Sequence, residues 1–215
     1  MLKSNDKYDI FISKDGGYMK IYDISQEVFG CEIYPDDPKP RKEIISSIEN
    51  GELYNLTAFY MCAHNGTHID APRHFINNGS AVDDIPLAKT VGKAYVTEFE
   101  GILSKEDAEK ILKKAERTDR DAAKKLLIKG NATVSNEAAK VFAEAKIDLI
   151  GNESQTVGPF NAPMEVHLTL LGAEVVLLEG IRLDEVSEGV YFLNAAPLSL
   201  GDSDGAPCRA YLVKE

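Results

Sequence analysis

The four histidines of the chain are unevenly distributed along its 215 residues. Three of them, His64, His68 and His74, lie within eleven residues, and Asp70 stands between them. Histidine nitrogens and carboxylate oxygens are the protein ligands that build hydrolytic metal sites. For any one of these histidines, local hydrogen bonding in a loop would be the simpler explanation. That explanation does not account for three histidines close together, because histidines scattered over a surface are not expected to cluster in the sequence. The segment therefore predicts a metal site and, with it, a metal-dependent hydrolase.

The backbone of this segment is predicted to be extended or looping rather than helical. Positions 64, 68, 70 and 74 are all even, and alternate residues of an extended chain share one face. Gly66 and Thr67 are poor helix formers, and Pro72 disfavours helical backbone at Ala71. Gly66 would also let the backbone approach an ion closely.

Three further residues are weaker candidates on sequence alone. Glu179 and Glu153 each follow an apolar run, and a charged residue ending a buried strand sits where ligand sites form in α/β sheets. Either side chain could equally emerge into solvent. Cys62 would suit zinc, but a cysteine in such a place is more often a small buried hydrophobe. No nucleophile elbow surrounds Ser154, and no phosphate-binding loop motif is present in the sequence.

Around these residues the sequence predicts the elements of an α/β domain. Strands are predicted at 8–12, 18–24, 53–62, 93–99, 125–129, 147–151, 174–178, 189–193 and 209–213, and loops at 31–43 and 76–88. Asp15, Gly16 and Gly17 indicate a hairpin turn between the first two strands. A capping box that begins at Ser104 and an N-cap at Ser135 predict two helices. The second helix lies between two apolar runs, which is typical of a parallel βαβ unit.

Composition limits the class of protein further. The length and the 44% hydrophobic content fit a single domain spanning 1–215. The net charge of −11 argues against nucleic acid and anionic membranes as partners. Three widely spaced cysteines and a charged N-terminus without an apolar run favour a cytoplasmic protein without disulfides. No stretch reaches the roughly 20 apolar residues that a membrane span needs.

The run from residue 64 to residue 75 resembles the H-x-G-T-H-x-D-x-P-x-H motif of the cyclase and bacterial kynurenine formamidase family. Residues 22–25, 151–157, 166–171, 178–180, 193–198 and 204–210 resemble other segments of that family, so the likeness covers roughly residues 20 to 213. It implies a swivelling β/β/α domain with a mixed sheet and a few helices, assembled as a homodimer or a higher homo-oligomer. It also implies an acid/base role for His74 and a set of metal ligands: His64, His68, Asp70, His167 and Glu179.

The sequence departs from the family pattern in three places. Residues 34–37 read Tyr-Pro-Asp-Asp where formamidases of the family often carry W-P-G-D. That tryptophan is associated with the aromatic substrate, so efficient kynurenine formamidase activity is not expected here. Glu153 stands where the family has an aspartate, and residues 1–17 extend beyond the usual start.

The resemblance implies hydrolysis of a small-molecule amide, N-formyl amide or cyclic amide with one or two Zn²⁺ or Mn²⁺ ions. Two alternatives remain at this stage. One is a metal-dependent cyclase or dehydratase that uses the ion only as a Lewis acid. The other is a non-enzymatic metal or ligand binder, which predicts a closed coordination shell.

Overall fold

The computed structural model describes residues 8–12 and 18–214 of the chain. Within them lie three α-helices, α1 (Lys105–Thr118), α2 (Asn136–Glu144) and α3 (Met164–Gly172). The strands are β1 (Tyr8–Ile12), β2 (Tyr18–Asp23), β3 (Arg41–Ser46), β4 (Leu56–Tyr60), β5 (His68–Asp70), β6 (Val91–Glu98), β7 (Gly101–Leu103), β8 (Lys125–Lys129), β9 (Ala132–Val134), β10 (Leu149–Asn152), β11 (Val176–Glu179), β12 (Gly189–Asn194), β13 (Gly205–Pro207) and β14 (Tyr211–Lys214).

Ten of these strands form one mixed sheet in the order β1-β2-β14-β12-β6-β8-β10-β11-β5-β13. Its centre, from β6 to β11, is parallel, and the strands on either side pair antiparallel. Leu126, Leu127 and Ile128 of β8 are all fully buried, because parallel strands are covered on both faces. The predicted α/β class with a mixed sheet and a few helices is confirmed, and so is the parallel pairing of β8 with β10.

Two apolar clusters lie on opposite faces of this sheet. On one face Leu126 packs with Phe142 and Leu170 of the helices. On the other face Leu127 packs with Ile69, which belongs to a flanking antiparallel strand. The sheet therefore curls so that its own flanks cover the face that the helices leave free. Each fully buried side chain of this kind contributes roughly 1.5–3 kcal/mol of transfer free energy.

Both predicted helices are present, and their N-caps are those that the sequence indicates. The Ser104 hydroxyl accepts a hydrogen bond from the Asp107 amide at 3.2 Å, and the Asp107 carboxylate accepts one from the Ser104 amide at 3.2 Å. Ser135 caps α2 by accepting from the Ala138 amide at 3.1 Å. The third helix, α3, was not predicted, because Pro163 at its N-cap makes no side-chain cap and its residues lack a clear polar face.

Residues 41–60 form a separate two-stranded hairpin, here called the arm. β3 and β4 pair antiparallel with each other and with no other strand of the described chain. The loop predicted at 31–43 is therefore wrong for its last three residues, which belong to β3. Their charged side chains suggested a loop, but on β3 the same side chains are exposed to solvent. The arm exposes several large apolar side chains, among them Ile44, Leu53 and Phe59.

The remaining predictions for the described residues differ from the structure by a few residues at the strand ends. β1 and β2 pair as the predicted hairpin, and its turn residues, Asp15, Gly16 and Gly17, lie outside the described part of the chain. The three cysteines are unpaired, as predicted. No helix among the residues described is both long enough and apolar enough to cross a membrane.

Candidate metal centre

The histidine segment folds as a turn, a three-residue strand and a second turn. Gly66 adopts a φ of 67° in the first turn, where a side chain would meet Cβ of Cys31 at 3.0 Å. β5 follows over His68–Asp70, and Pro72–His74 form a single 3₁₀ turn. The predicted extended or looping backbone is confirmed, because the segment is extended at β5 and turns on either side of it. His68 and Asp70 lie on the strand, whereas His64 and His74 lie in the turns.

Strand pairing brings the first distant carboxylate to the segment. β5 pairs antiparallel with β11, and this register places Glu179 opposite His68. The Nε2 atom of His68 lies 3.3 Å from Oδ1 of Asp70 and 3.5 Å from Oε2 of Glu179. Glu179 is the last residue of β11, as the apolar run before it predicts. Its side chain is buried rather than exposed to solvent.

Helix α3 brings in the fourth histidine. The Nε2 atom of His167 lies 3.3 Å from Oε1 of Glu179 and 3.5 Å from Oδ2 of Asp70. His64 completes the group, with its Nδ1 atom 2.8 Å from Oδ1 of Asp70. The structure therefore brings together all five residues that the sequence resemblance implied as ligands, and their polar atoms form two overlapping clusters suited to a metal ion.

Backbone carbonyls set the orientation of two of these rings. Nδ1 of His68 lies 3.0 Å from the carbonyl of Gly66, and Nδ1 of His167 lies 2.9 Å from the carbonyl of Pro163. A carbonyl can only accept, so Nδ1 carries the proton in both rings, and the Nε2 atom of the neutral ring presents a lone pair. Each of those lone pairs faces carboxylate oxygens, and two groups that only accept repel each other. A proton or a metal cation between the nitrogen and the oxygens is therefore needed. Histidines that bind metals are commonly held in this way.

The two carboxylates are buried and remain ionised. Burial raises the pKa of Asp70, but the neighbouring histidines, His64 first, outweigh it and hold the pKa well below its ordinary value. Burial and the charge of Asp70 also raise the pKa of Glu179, yet hydrogen bonds from His167 and His68 lower it overall. Two negative charges thus lie side by side within the protein, where uncompensated charge is very costly.

The three histidines supply the compensating charge in the absence of an ion. Burial lowers the pKa of each, but the neighbouring carboxylates outweigh it. The resulting pKa is about 11 for His64, about 9 for His68 and about 10 for His167. A cation bound among these groups would replace the protons, since metal ligands must be deprotonated.

His74 lies beside the buried group rather than inside it. Its ring stacks on that of His64 with centroids 4.0 Å apart, and its centroid is 6.2 Å from that of His167. The side chain is 29% exposed, whereas that of His68 is 1% exposed. Burial lowers the pKa of His74, so its imidazole is neutral at pH 7.

Asp204 is a residue of this site that the sequence analysis did not select. Its Oδ2 atom lies 2.9 Å from Nε2 of His64 and 3.3 Å from Nδ1 of His74. The hydrogen bond from His64 holds the pKa of Asp204 below its ordinary value. The following residue, Gly205, leaves room for this contact, because a side chain there would lie 2.6 Å from Cε1 of His64. The one local signal is the Asp-Gly pair itself, which reads as an ordinary turn.

The weaker sequence candidates have other surroundings. The carboxylate of Glu153 accepts hydrogen bonds from the amides of Gly130 at 2.7 Å and Leu183 at 2.8 Å. It therefore holds loops together and does not join the cluster. Cys62 is part of none of the metal-suited groups among the described residues.

The cluster opens onto a pocket of about 250 Å³. Its rim includes Tyr34 and Asp37 from the unusual Tyr-Pro-Asp-Asp stretch, and Phe75 lies beside the histidines. The hydroxyl of Tyr34 donates to the carbonyl of Phe160 at 2.6 Å, and the two rings are 5.0 Å apart. The pocket thus combines a polar floor with an aromatic wall, as small-molecule sites do.

Residues 22–159, well over half of the chain, match the family model named Cyclase and described as "Putative cyclase". The chain belongs to the cyclase family. A relative from Salinibacter ruber, named kynurenine formamidase, is 31% identical, and the alignment covers 90% of this chain and 97% of the relative. This membership confirms the resemblance drawn from the histidine motif.

Two solved structures have the same fold as this chain. A structure described as a potential metal-dependent hydrolase with cyclase activity superposes with a TM-score of 0.77 at 28% identity, covering 92% of this chain and 98% of that one. Isatin hydrolase A from Labrenzia aggregata shares the fold with a TM-score of 0.75 at 22% identity, covering 91% and 93%. The relatives named kynurenine formamidase and the first of these structures confirm that the chain is an enzyme of the hydrolase class.

Proposed function

We propose that this cyclase-family protein is a metal-dependent amidohydrolase that cleaves a small amide, N-formyl amide or cyclic amide. The observation that carries the proposal is the convergence of five side chains, four of them buried and His64 12% exposed, from the histidine segment, α3 and β11. The metal ligands would be His64, His68, Asp70, His167 and Glu179. Three histidines and two carboxylates are donors that suit Zn²⁺ and tolerate Mn²⁺.

The donor set would accommodate one ion or two. Oδ1 of Asp70 faces His64 and His68, whereas Oδ2 of the same carboxylate faces His167. Glu179 likewise offers one oxygen to His68 and the other to His167. Both carboxylates thus offer both of their oxygens to the group, and the five residues together would hold the metal. When bound, the metal would lower the pKa of a water molecule towards about 7 and polarise the substrate carbonyl.

The residues of the chain would bind the substrate and move the proton. The aromatic wall formed by Tyr34 and Phe75 would hold a planar group against the pocket. His74 is neutral at pH 7 and lies beside the ligands without joining the buried group. It would accept a proton from the attacking water and return it to the leaving nitrogen.

One experiment tests this function directly. The protein is reconstituted with zinc or manganese and assayed on N-formyl anilides, isatin-like lactams and cyclic imides. Hydrolysis of at least one class, dependent on the added metal, is the expected result. Metal-independent turnover, or no turnover of any class, would count against the proposal.

The same assay distinguishes hydrolysis from a second candidate reaction. A structural neighbour is described as having cyclase activity, and ring closure or dehydration would use the ion only as a Lewis acid. Mass spectrometry of the products decides, because hydrolysis adds the mass of water and cyclisation does not. The open pocket beside the ligands argues against a third candidate, a binder with a closed coordination shell.

Turnover of N-formylkynurenine is expected to be slow. The chain contains no tryptophan, and Tyr34 stands where formamidases of the family often have one. A tyrosine ring offers less stacking surface, so kcat/KM should lie below about 10⁶ M⁻¹s⁻¹. Tyr34→Trp should raise kcat/KM for N-formylkynurenine more than for a small aliphatic formamide. A wild-type value at or above that limit would contradict the prediction.

Zinc binding at pH 7 is expected to release about three protons. The pKa of His64 is about 11, that of His68 about 9 and that of His167 about 10, so all three are protonated in the ion-free protein. Each must become neutral to bind the metal, and zinc affinity should therefore rise with pH between about 7 and 9. Calorimetric titration in buffers of different ionisation enthalpy measures the number. His74→Ala should leave it unchanged, and release of fewer than about one proton would contradict the ligand assignment.

The arm supports the proposed homodimer or higher homo-oligomer. Leu53 is 93% exposed and Ile44 is 66% exposed, and several large exposed apolar side chains on one hairpin are typical of an interaction site. Sedimentation velocity should show a dimer or larger species, and Leu53→Asp should shift it towards the monomer. Ile102→Asp is the matched control, because Ile102 is 72% exposed but lies outside the arm. A wild-type monomer at micromolar concentration would contradict the proposal.

A further inference from the structure

One carboxylate oxygen is shared by two histidine rings at the edge of the metal cluster. Oδ2 of Asp204 lies 2.9 Å from Nε2 of His64 and 3.3 Å from Nδ1 of His74. The two rings are stacked at 4.0 Å with an interplanar angle of 29°. Asp204 is tied to the same segment through its backbone, because its carbonyl accepts from the amide of Ala71 at 2.9 Å.

The chemistry of a carboxylate decides where the protons of these rings lie. An ionised carboxylate can only accept hydrogen bonds, so the nitrogen facing it must carry a proton in each ring. His64 is then protonated at Nε2, and His74 at Nδ1. When each ring is neutral, the lone pairs fall on Nδ1 of His64 and on Nε2 of His74. Nδ1 of His64 is the atom that lies 2.8 Å from Asp70, within the metal cluster.

We propose that Asp204 is a positioning residue that fixes the tautomer of both rings at once. It keeps Nδ1 of His64 free for a metal ion and Nε2 of His74 free to accept a proton. The tautomer of His74 follows from its contact with Asp204 alone. The tautomer of His64, whose two ring nitrogens both face carboxylates, and the consequence for catalysis rest on the function proposed above. Carboxylates that orient a metal-bound or a catalytic histidine are common, and here one oxygen serves both rings.

The tautomers can be measured without any assay of activity. The chain has only four histidines, so ¹⁵N-histidine labelling gives a spectrum that single His→Ala variants can assign. Long-range ¹H–¹⁵N correlation spectra are recorded at neutral pH with zinc bound. We expect Nδ1 of His74 and Nε2 of His64 to be the protonated nitrogens. Asp204→Ala should shift the proton of His74 towards Nε2, whereas Asp204→Asn, which keeps an acceptor oxygen, should retain Nδ1–H in part.

Kinetics then tests whether the orientation matters for the reaction. At saturating zinc, Asp204→Ala should lower kcat by about 10–100-fold with a smaller change in KM. In a His74→Ala background the same substitution should lower kcat by less than about threefold, because residues that act through one another are not additive. Asp202→Asn is the matched control: it lies in the same loop, is 91% exposed and has a φ of 58°, which asparagine tolerates.

Each outcome bears on the proposal. A wild-type His74 protonated at Nε2, or tautomers that Asp204→Ala leaves unchanged, would overturn it. An equal fall in kcat in both backgrounds, or full recovery with added zinc, would show that Asp204 does not act through His74 and would also overturn it. If the tautomers behave as expected but the wild type hydrolyses no substrate of the panel, the proposed function fails and the positioning role of Asp204 stands.

Discussion

Replacing His68 with alanine is expected to remove bound metal and hydrolytic activity together. The ring of His68, on strand β5, is 1% exposed and contacts both Asp70, at 3.3 Å, and Glu179, at 3.5 Å. Without it, two buried carboxylates lose a shared partner and the proposed metal site loses a ligand. A catalytic ion would supply several kcal/mol of transition-state stabilisation, so kcat/KM should fall by more than about 10³-fold.

Elemental analysis beside kinetics makes this measurement. Loss of a partner for buried charge also lowers stability, so circular dichroism must show that the variant is folded. His68→Gln, which keeps a polar side chain but lacks the ring nitrogen, should lose metal with less loss of stability. A folded variant that retains stoichiometric metal and near-normal kcat/KM would contradict the ligand assignment of His68.

The elements that could be predicted from the sequence are those with local signals. Helices α1 and α2 are predictable because each begins with an N-cap serine, Ser104 or Ser135. In each, apolar residues at helical spacing follow the serine directly in the sequence. The continuous apolar run of β8 similarly indicates a strand buried on both faces. Helix α3 has neither a cap nor a clear polar face, and this is the helix that carries His167.

The site was only partly accessible to such reasoning. Clustering in the sequence identifies His64, His68, Asp70 and His74, but nothing local connects them with His167 or Glu179. Those two reach the cluster through the packing of α3 and the antiparallel register of β5 on β11. Both are long-range features that only the family resemblance could supply in advance.

Asp204 was identified as a site residue neither by local sequence patterns nor by the family resemblance. Residues 204–210 resemble a segment of the family, yet the resemblance implied no site role for Asp204. Its contact with His64 depends on β13 pairing with β5 and on the absence of a side chain at Gly205. The need for glycine at position 205 cannot be inferred from the sequence, because it arises only when β13 and β5 pair.

Replacing His74 with alanine is expected to leave the metal in place and to slow the reaction. His74 makes no contact shorter than 4 Å with Asp70 or Glu179 among the ion pairs of the site, and it meets the cluster through Asp204 and the stacked ring of His64. Loss of its ring therefore removes no donor from the five proposed ligands. General acid–base catalysis contributes about 10²–10⁴-fold, so kcat should fall by that factor while metal content and circular dichroism stay at wild-type values.

The pH dependence gives this prediction a second, independent consequence. Burial lowers the pKa of His74 below the ordinary histidine value of 6.5. The neutral, proton-accepting form therefore prevails at and above neutral pH and is lost only as the pH falls through that lowered pKa. The step in log kcat assigned to His74 should therefore lie on the acid side of 6.5 and should vanish in His74→Ala at saturating zinc. Arg73→Gln is the matched control, because the neighbouring Arg73 contacts Gly79 and Asp202 rather than the cluster. Metal loss in His74→Ala comparable to that in His68→Ala would instead make His74 a ligand, and its catalytic assignment would have to be abandoned.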